Sequence, residues 1–334
     1  MSIQWMAKNL KNRIILSAGI LSYMILLFMR VPLTRVIGDA GVGLFAPAFE
    51  LFLLTTLVTS HGMSQAMSGI IRYRVKRERY RNADKVFRTA FFMNLFLGVA
   101  MALFLLFFSA WISDVLVLEH LSRMAVLAAV PCVFVSALIG VFRGYFSGYG
   151  LGGLTAHSQY LEKIAMFTGA LLAGRMFHEY GEKVAALLHV EAYTHAFGAL
   201  GAMLGVLASQ LIALLHLLVL YFIYAGTLKG RLGQDNSRRA ETRFEIQRML
   251  LGNMIPLSVI AVISNLFMLA DQRFFNYCMN ITEKGAERTA QWGCYYGKFA
   301  ALIGMGAALC CCFVHGMVGK IGGANEGEEY GGRR

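Results

Sequence analysis

Two arginines, Arg30 and Arg35, have the residue type and spacing that could bind a phosphate. They follow a largely apolar run over 14–29, and Pro32 lies between them, where it would loosen a helix. An arginine guanidinium presents a planar fork of donors that matches a phosphate group. The pair therefore predicts a site for a phosphate-bearing headgroup. The alternative is that both arginines simply mark the outer end of a membrane span.

Polar side chains form stripes within two other apolar runs. At about 100° per residue, Glu50 and His61 fall within about 20° of each other on a helix, and Gln65 lies beside them. Asn253 and Asp271 share one face of a later run by the same arithmetic. Polar groups in a bilayer are costly, so they usually face a watery cavity or one another. We expect these residues to line a cavity, although helix–helix hydrogen bonding would give the same pattern.

Carboxylates within the apolar runs are candidates for binding a coupling cation. Glu162 is followed directly by Lys163. This position is consistent with a cavity lining and equally with the inner interface, where long side chains reach toward water. Glu50, Glu162 and Asp271 are the titratable groups that we predict could take up H+ or Na+.

The sequence predicts no catalytic residue, metal site or cofactor, and therefore no enzyme. It contains no Gly-x-x-x-x-Gly-Lys-Ser/Thr phosphate loop. His178, His189 and His195 gather in one predicted loop, but their spacing fits no metal motif. Three of the six cysteines, 310–312, lie inside an apolar run, which is typical of helix packing rather than of zinc binding. A membrane-embedded transferase is the alternative in this class.

The composition indicates a protein whose surface faces lipid. Of its 334 residues 57% are hydrophobic and 15% are charged, and the mean hydropathy is +0.57. A soluble protein of this length carries more charge. At roughly 20 apolar residues per span, we predict an all-α, polytopic membrane helical bundle of about eight transmembrane helices. The predicted spans are 12–36, 41–71, 87–110, 121–142, 152–176, 195–225, 249–270 and 295–319.

The charged loops indicate which side of the membrane each segment faces. Basic residues concentrate in the loops 72–85 and 226–248, whereas the loops predicted on the other side are neutral or acidic. The positive-inside rule places basic loops in the cytoplasm. We therefore expect the N-terminus and both loops to be cytoplasmic, in a multi-pass protein of a bacterial plasma membrane. The net charge of +12 belongs to this pattern and does not indicate nucleic acid binding.

The loop 226–248 is the predicted internal boundary. It separates an N-terminal six-helix lobe, 1–225, from two helices of an incomplete second lobe, 249–319, which a polar tail, 320–334, follows. The second part begins like the first, with basic residues leading into an apolar run, and this hints at a repeat of six-helix bundles.

Three sequence blocks resemble a known family. They are RVPLTRVIGDAGVGLF at 30–45, GMSQAMSGII at 62–71, and FRGYFSGYG at 142–150 with SQYLEKI at 158–164. Together they resemble the stage V sporulation protein B group, which belongs with the oligosaccharide and lipid II flippases of the multidrug/oligosaccharidyl-lipid/polysaccharide exporter superfamily. The blocks cover 30–165, and the helix pattern extends the likeness to about 275.

The resemblance implies two six-helix lobes around a central cavity that opens alternately to each side of the membrane. It implies a lipid-linked oligosaccharide or peptidoglycan precursor as substrate, with Arg30 and Arg35 near its phosphates. A multidrug/cation antiporter of the same superfamily and a non-transporting fragment or partner subunit are the alternatives. Because the family has twelve to fourteen helices, we expect this chain to be truncated and to lack most of a C-terminal lobe.

Overall fold

The computed structural model describes the backbone of residues 3–230, 233, 235, 241–279 and 285–310. Side chains are described from residue 21, apart from these gaps and a few positions in the later helices. The polar tail 320–334, most of the basic stretch 231–240 and the end of the last predicted span therefore lie outside the described residues. Within the described part, the secondary structure is helical. The helices are α1 (Ile3–Thr56), α2 (Met63–Val75), α3 (Tyr80–Trp111), α4 (Arg123–Gly148), α5 (Gly152–Leu188), α6 (Ala192–Gly230), α7 (Arg243–Met279) and α8 (Gly285–Cys294).

The first helix is two antiparallel arms that meet at Gly38. Gly38 has non-helical angles, φ 77° and ψ 164°, which glycine adopts without a steric penalty. Arg30 and Glu50, twenty residues apart in sequence, approach to 2.9 Å. On one continuous helix they would lie about 30 Å apart, so the chain must reverse between them. The break falls at Gly38, whereas Pro32 is accommodated inside the first arm.

Four helical stretches of the described chain are long and apolar enough to cross a membrane. They are Leu21–Val75, Tyr80–Val117, His120–Gly148 and Ala192–Tyr224. The first of them contains the reversal at Gly38 and so holds the first two predicted spans. Three predicted spans have no such stretch. They fall on α5, on α7, and on α8 together with its continuation to residue 310. The prediction of an all-α polytopic membrane bundle is confirmed.

Three π-helical turns of the described chain, Leu57–Gly62, Ile112–Val117 and Tyr295–Phe299, interrupt the regular helices. The first joins α1 to α2 and is fixed by Asn94 of α3. The buried Asn94 amide donates to the Thr59 carbonyl at 2.9 Å and to the Ala137 carbonyl of α4 at 2.6 Å. One side chain therefore satisfies backbone groups on two neighbouring helices, where no water would be available to do so.

Glycines allow α4 to approach the 57–71 segment closely. Gly140, Gly144 and Gly148 recur every four residues and so lie on one face of α4. A Cβ atom on Gly140 would lie 2.4 Å from the Cα of Ser60, and one on Gly148 would lie 2.6 Å from the Cβ of Ile71. Small residues at regular spacing are the usual means by which helices gain van der Waals contact in lipid.

Polar contacts attach α7 and α8 to the first six helices. Arg288 of α8 donates to the Glu119 carboxylate at 3.0 Å and to the Leu118 carbonyl at 2.9 Å. The Asn276 amide of α7 donates to the Val117 carbonyl at 2.7 Å. Lys298, just beyond α8, pairs with Asp39 at 2.8 Å. These contacts cluster at the end of the bundle where α3 meets α4 and where α1 turns.

The glycine contact leads to a stability prediction. Gly140→Ala should lower the free energy of unfolding by about 1–3 kcal/mol, because the added methyl group overlaps the backbone at Ser60. Gly69→Ala is the matched control, since no heavy atom lies within 4 Å of its added Cβ. It should leave stability unchanged or raise it by up to about 1 kcal/mol. Unfolding by sodium dodecyl sulfate, followed by circular dichroism, measures both, and equal stability of the two variants would contradict the close approach.

Candidate functional site

A buried charge cluster joins both arms of α1 to the segment after α8. Arg30 of the first arm donates to Glu50 Oε1 of the second arm at 2.9 Å, and the two side chains are 5% and 6% exposed. The phenol of Tyr296 donates to the same carboxylate oxygen at 2.6 Å. The Arg30 guanidinium carbon also lies 4.0 Å from the centre of the Tyr296 ring. A cation, an anion and an aromatic ring thus satisfy one another within the bundle.

The cluster follows from local sequence as well as from packing. The first arm ends eight residues after Arg30 at the Gly38 turn, so the second arm returns alongside it. Phe49, which is fully buried, lies beside the pair, with its ring centre 5.8 Å from the Arg30 guanidinium carbon. The Nε atom of Arg30 has no hydrogen-bond partner among the described residues. The guanidinium therefore keeps a donor that a further anion could take.

The predicted arginine pair is not assembled at one point. Arg30 is 4% exposed and bound to Glu50, whereas Arg35 is exposed on another face of the first arm. Five residues separate them, which corresponds to about 140° around a helix. The structure thus places one arginine inside the bundle and the other at its surface, near the turn.

A second buried charge cluster lies between α4 and α5. The carboxylate of Glu162 accepts from Arg143 at 2.6 Å and from Lys163 at 2.7 Å, and its side chain is 5% exposed. Arg143 also donates to the fully buried Ser158 hydroxyl at 3.0 Å. The predicted carboxylate is therefore neutralised by two cations inside the bundle.

Arg143 is a site residue that the sequence reasoning missed. Its sequence signal is a single arginine within the apolar run 124–148, and a lone basic residue at such a depth requires an anion nearby. Glu162, nineteen residues later on the next helix, is the available anion. The Glu162 carboxylate in one span thus needs a cation, Arg143, that the preceding span supplies.

The remaining predicted site residues lie outside the two clusters. His61, Gln65, Asn253 and Asp271 are exposed. The Asn253 amide donates to the Met249 carbonyl within its own helix at 3.0 Å. Glu50 is buried and His61 is exposed, and His61 lies in a π turn, whose spacing differs from the 100° per residue on which the predicted shared face rests.

Four of the eight histidines lie in two pairs. His157 and His216 approach to 3.2 Å between ring nitrogens, and the ring centres of His178 and His195 are 5.7 Å apart. Among the described residues, no group of three or more His, Cys, Asp or Glu side chains could hold a metal ion. His189 ends α5 in a left-handed conformation, with φ 55°.

Comparison with protein families identifies the group to which this fold belongs. The family model described as "Polysaccharide biosynthesis protein" matches residues 10–266, which is most of the chain. The chain belongs to this polysaccharide biosynthesis protein family. The match begins in the first arm of α1 and ends within α7, so it includes both buried charge clusters except for Tyr296.

Individual relatives agree with the family. The chain is 28% identical over 218 residues to stage V sporulation protein B of Bacillus subtilis (strain 168), a match that covers 65% of this chain and 39% of that protein. The resemblance predicted from the three sequence blocks is thereby confirmed. The chain thus matches well under half the length of this curated relative.

A solved structure shows the same fold at low sequence identity. It is described as the inward-facing conformation of a multidrug resistance MATE family transporter of the MOP superfamily. The TM-score is 0.55 at 18% identity, and the match covers 86% of this chain and 60% of that one. The helices of this polysaccharide biosynthesis family member are therefore arranged as in part of a transporter of that superfamily.

The Arg30–Glu50 pair leads to a prediction about coupling between the arms. Arg30→Met or Glu50→Gln alone should lower the free energy of unfolding by about 3–5 kcal/mol, since each leaves a buried group without its partner. The double variant should lower the free energy of unfolding by less than the sum of the two single changes.

The exposed pair Arg175–Glu179, at 3.0 Å, is the matched control. Its double-mutant cycle should give a coupling of about 0.5 kcal/mol or less, because water already solvates both side chains. Unfolding in detergent micelles measures both cycles. If the two single changes in the free energy of unfolding at Arg30 and Glu50 simply add up in the double variant, the ion pair does not join the arms.

Proposed function

We propose that this chain is part of a flippase that moves a lipid-linked oligosaccharide or peptidoglycan precursor across the cytoplasmic membrane by alternating access. The observation that carries the proposal is the buried Arg30–Glu50–Tyr296 cluster in a membrane bundle of the polysaccharide biosynthesis family. Its work is transport without covalent chemistry, and it uses no cofactor. The relatives are longer than this chain, so the transport cycle is proposed for the complete two-lobe assembly.

The charge balance of the bundle favours an anionic cargo. Both deeply buried carboxylates of the described helices, Glu50 and Glu162, already have guanidinium partners. A pocket for a cationic drug needs a carboxylate without such a partner. The multidrug/cation antiporter is therefore the weaker alternative.

Arg30 and Arg35 would act in sequence rather than as one clamp. Arg35 is exposed near the turn and would meet the headgroup phosphate first. A phosphate that reaches Arg30 competes with Glu50 for the guanidinium, which has a donor to spare at Nε. Arg–phosphate contacts are bidentate and as strong as Arg–carboxylate contacts, so the exchange costs little free energy.

The exchange offers a route to ion coupling. A Glu50 carboxylate released from Arg30 would be a buried anion held only by Tyr296, and it would take up H+ or Na+ to avoid that cost. Glu162 is less suited to this role because two cations hold it. Binding of cargo to Arg30 and of a coupling cation to Glu50 would thus occur together.

We also propose the orientation of the chain in the membrane. The basic loop after α2 and the stretch before α7 face the cytoplasm, and the turn at Gly38 and the loop between α3 and α4 face outward. The distribution of basic residues supports this assignment.

The flippase proposal is tested with the complete two-lobe assembly in liposomes that contain a fluorescent polyprenyl-pyrophosphate saccharide. The protein should expose inner-leaflet label to an impermeant reductant while leaving the lipid chemically unchanged. Arg35→Gln should slow this exposure at least about 10-fold, because a charged hydrogen bond to phosphate contributes roughly 1.5–3 kcal/mol. Arg123→Gln, which alters another exposed arginine at the same end of the bundle, should leave the rate unchanged.

Three outcomes would contradict the proposal. If vesicles with protein expose label no faster than empty vesicles, the protein does not transport the lipid. A chemically modified lipid would indicate a transferase. Efflux of a cationic dye instead of the lipid would support the antiporter. A wild-type rate in Arg35→Gln would remove the phosphate role of that residue.

The orientation has its own test, cysteine labelling in a variant without native cysteines. Arg77→Cys and Asp114→Cys each place a thiol at an exposed position. An impermeant maleimide should label the residue-114 variant in intact cells and the residue-77 variant only after permeabilisation. The reverse pattern would invert the proposed orientation and leave the fold unaffected.

A further inference from the structure

A cavity of about 1170 Å³ opens where α3 and α7 begin, at the opposite end of the bundle from the Gly38 turn. On one side it is lined by the first three turns of α3, and on the other by residues 241–247 at the start of α7. The two sides are held together by Glu241, whose carboxylate binds Arg74 and whose backbone N–H donates to Asn82 at 3.3 Å. None of the site residues of the proposed flippase lies in it.

The lining is rich in positive charge. Four basic side chains face two acidic ones in the lining, and a third carboxylate, Asp235, lies beside the lining and pairs with Arg81 at 3.8 Å. Both acids of the lining are also engaged. Asp84 pairs with Arg88 at 2.9 Å, and Glu241 pairs with Arg74, which lies outside the lining. The basic lining residues are Arg81, Lys85, Arg88 and Arg243. The cavity therefore has a surplus of cations.

The cations of the cavity lie at two helix N-termini, each of which is capped by a carboxylate. The first turn of α3 carries no acidic residue of its own, and the Asp235 carboxylate caps it by accepting from the Arg81 backbone N–H at 3.1 Å. Arg243 is the first residue of α7. Cations at the positive end of a helix are unfavourable unless an anion lies close by. The sole acidic residue in the first turn of α7, Glu245, is used in a reciprocal cap with Thr242.

One face of α3 passes from basic to aromatic. Arg81, Lys85 and Arg88 are followed at helical spacing by Phe92, which also lines the cavity and is 68% exposed. Exposed phenylalanines continue along α3 at Phe96, beyond the cavity. A ligand here would have its charged group among the cations and its apolar part along the phenylalanines.

We infer that this cavity binds the phosphate headgroup of a membrane lipid, with the acyl chain along the α3 aromatic face. Basic pockets between helices at the cytoplasmic boundary are suited to anionic headgroups. Two lipids carry this chemistry, an anionic phospholipid of the bilayer and a polyprenyl pyrophosphate. The inference does not depend on transport, because the site lies apart from Arg30 and Arg35.

The test measures thermal unfolding of the full chain in detergent by intrinsic fluorescence. Dioleoyl phosphatidylglycerol should raise the midpoint by about 3 °C or more, and zwitterionic phosphatidylcholine with the same chains should raise it far less. Arg88→Gln with Arg243→Gln should lose more than half of the shift. Arg72→Gln with Arg77→Gln removes two exposed charges outside the cavity and should keep the shift.

Further measurements distinguish the possible outcomes. The wild-type shift should shrink between low and 0.5 M salt, because the partly exposed charges are screened; a salt-independent shift would overturn the inference even if the double variant failed to fold. Equal stabilisation by both phospholipids, no shift with any of the three lipids, or equal losses in both double variants would also overturn it. A shift with polyprenyl pyrophosphate alone would support the phosphate site and identify the polyprenyl lipid as its source.

Discussion

A charge inside a hydrocarbon-embedded bundle must find its counter-charge within the protein, and this constraint fixes the arrangement of α1. Arg30 and Glu50 have no water to solvate them, so the two arms must hold a register in which they meet. Tyr296 extends the constraint to the segment after α8 through the same carboxylate. A slip of one arm by a helical turn would leave two buried charges apart. The ion pair thus specifies register more than it adds stability.

Glycine contacts complete what the ion pairs begin. In lipid, apolar side chains gain little by leaving their surroundings, so helices associate through close packing and polar contacts. Gly140 and Gly148 bring α4 against the 57–71 segment, and a Cβ on Gly169 of α5 would lie 2.9 Å from the Gly205 carbonyl of α6. Close backbone approach at these positions leaves little freedom for the helices to slide. The first six helices therefore behave as a packed unit whose charged residues are held in fixed places.

Most of the fold and part of the site can be predicted from the sequence. Hydropathy and basic loops predict the helices well, because spanning length and charge are local properties. Arg30 and Glu50 are both predicted site residues, yet their pairing depends on the turn at Gly38 and on the reach of a long guanidinium across about one helical turn. Arg143 escapes prediction because the need of a buried cation for an anion is visible only when two spans are considered together. His61 lies in a π turn, which a regular helical periodicity does not reveal.

The contacts between the first six helices and the α7–α8 segment differ at the two ends of the bundle, and this difference bears on the proposed cycle. At the Gly38 end they are ionic or charge-assisted: Glu50 with Tyr296, Asp39 with Lys298, and Glu119 with Arg288. Such contacts can be exchanged for water or for an anionic headgroup at small net cost, whereas backbone-to-backbone glycine packing cannot.

At the other end, Arg74 and Glu241 join α2 directly to the stretch that leads into α7. A rocking motion that separates the two parts at the Gly38 end could therefore keep this ion pair and use it as a hinge. The basic cavity lies beside that hinge, so a headgroup bound there would stabilise the joint about which the motion occurs.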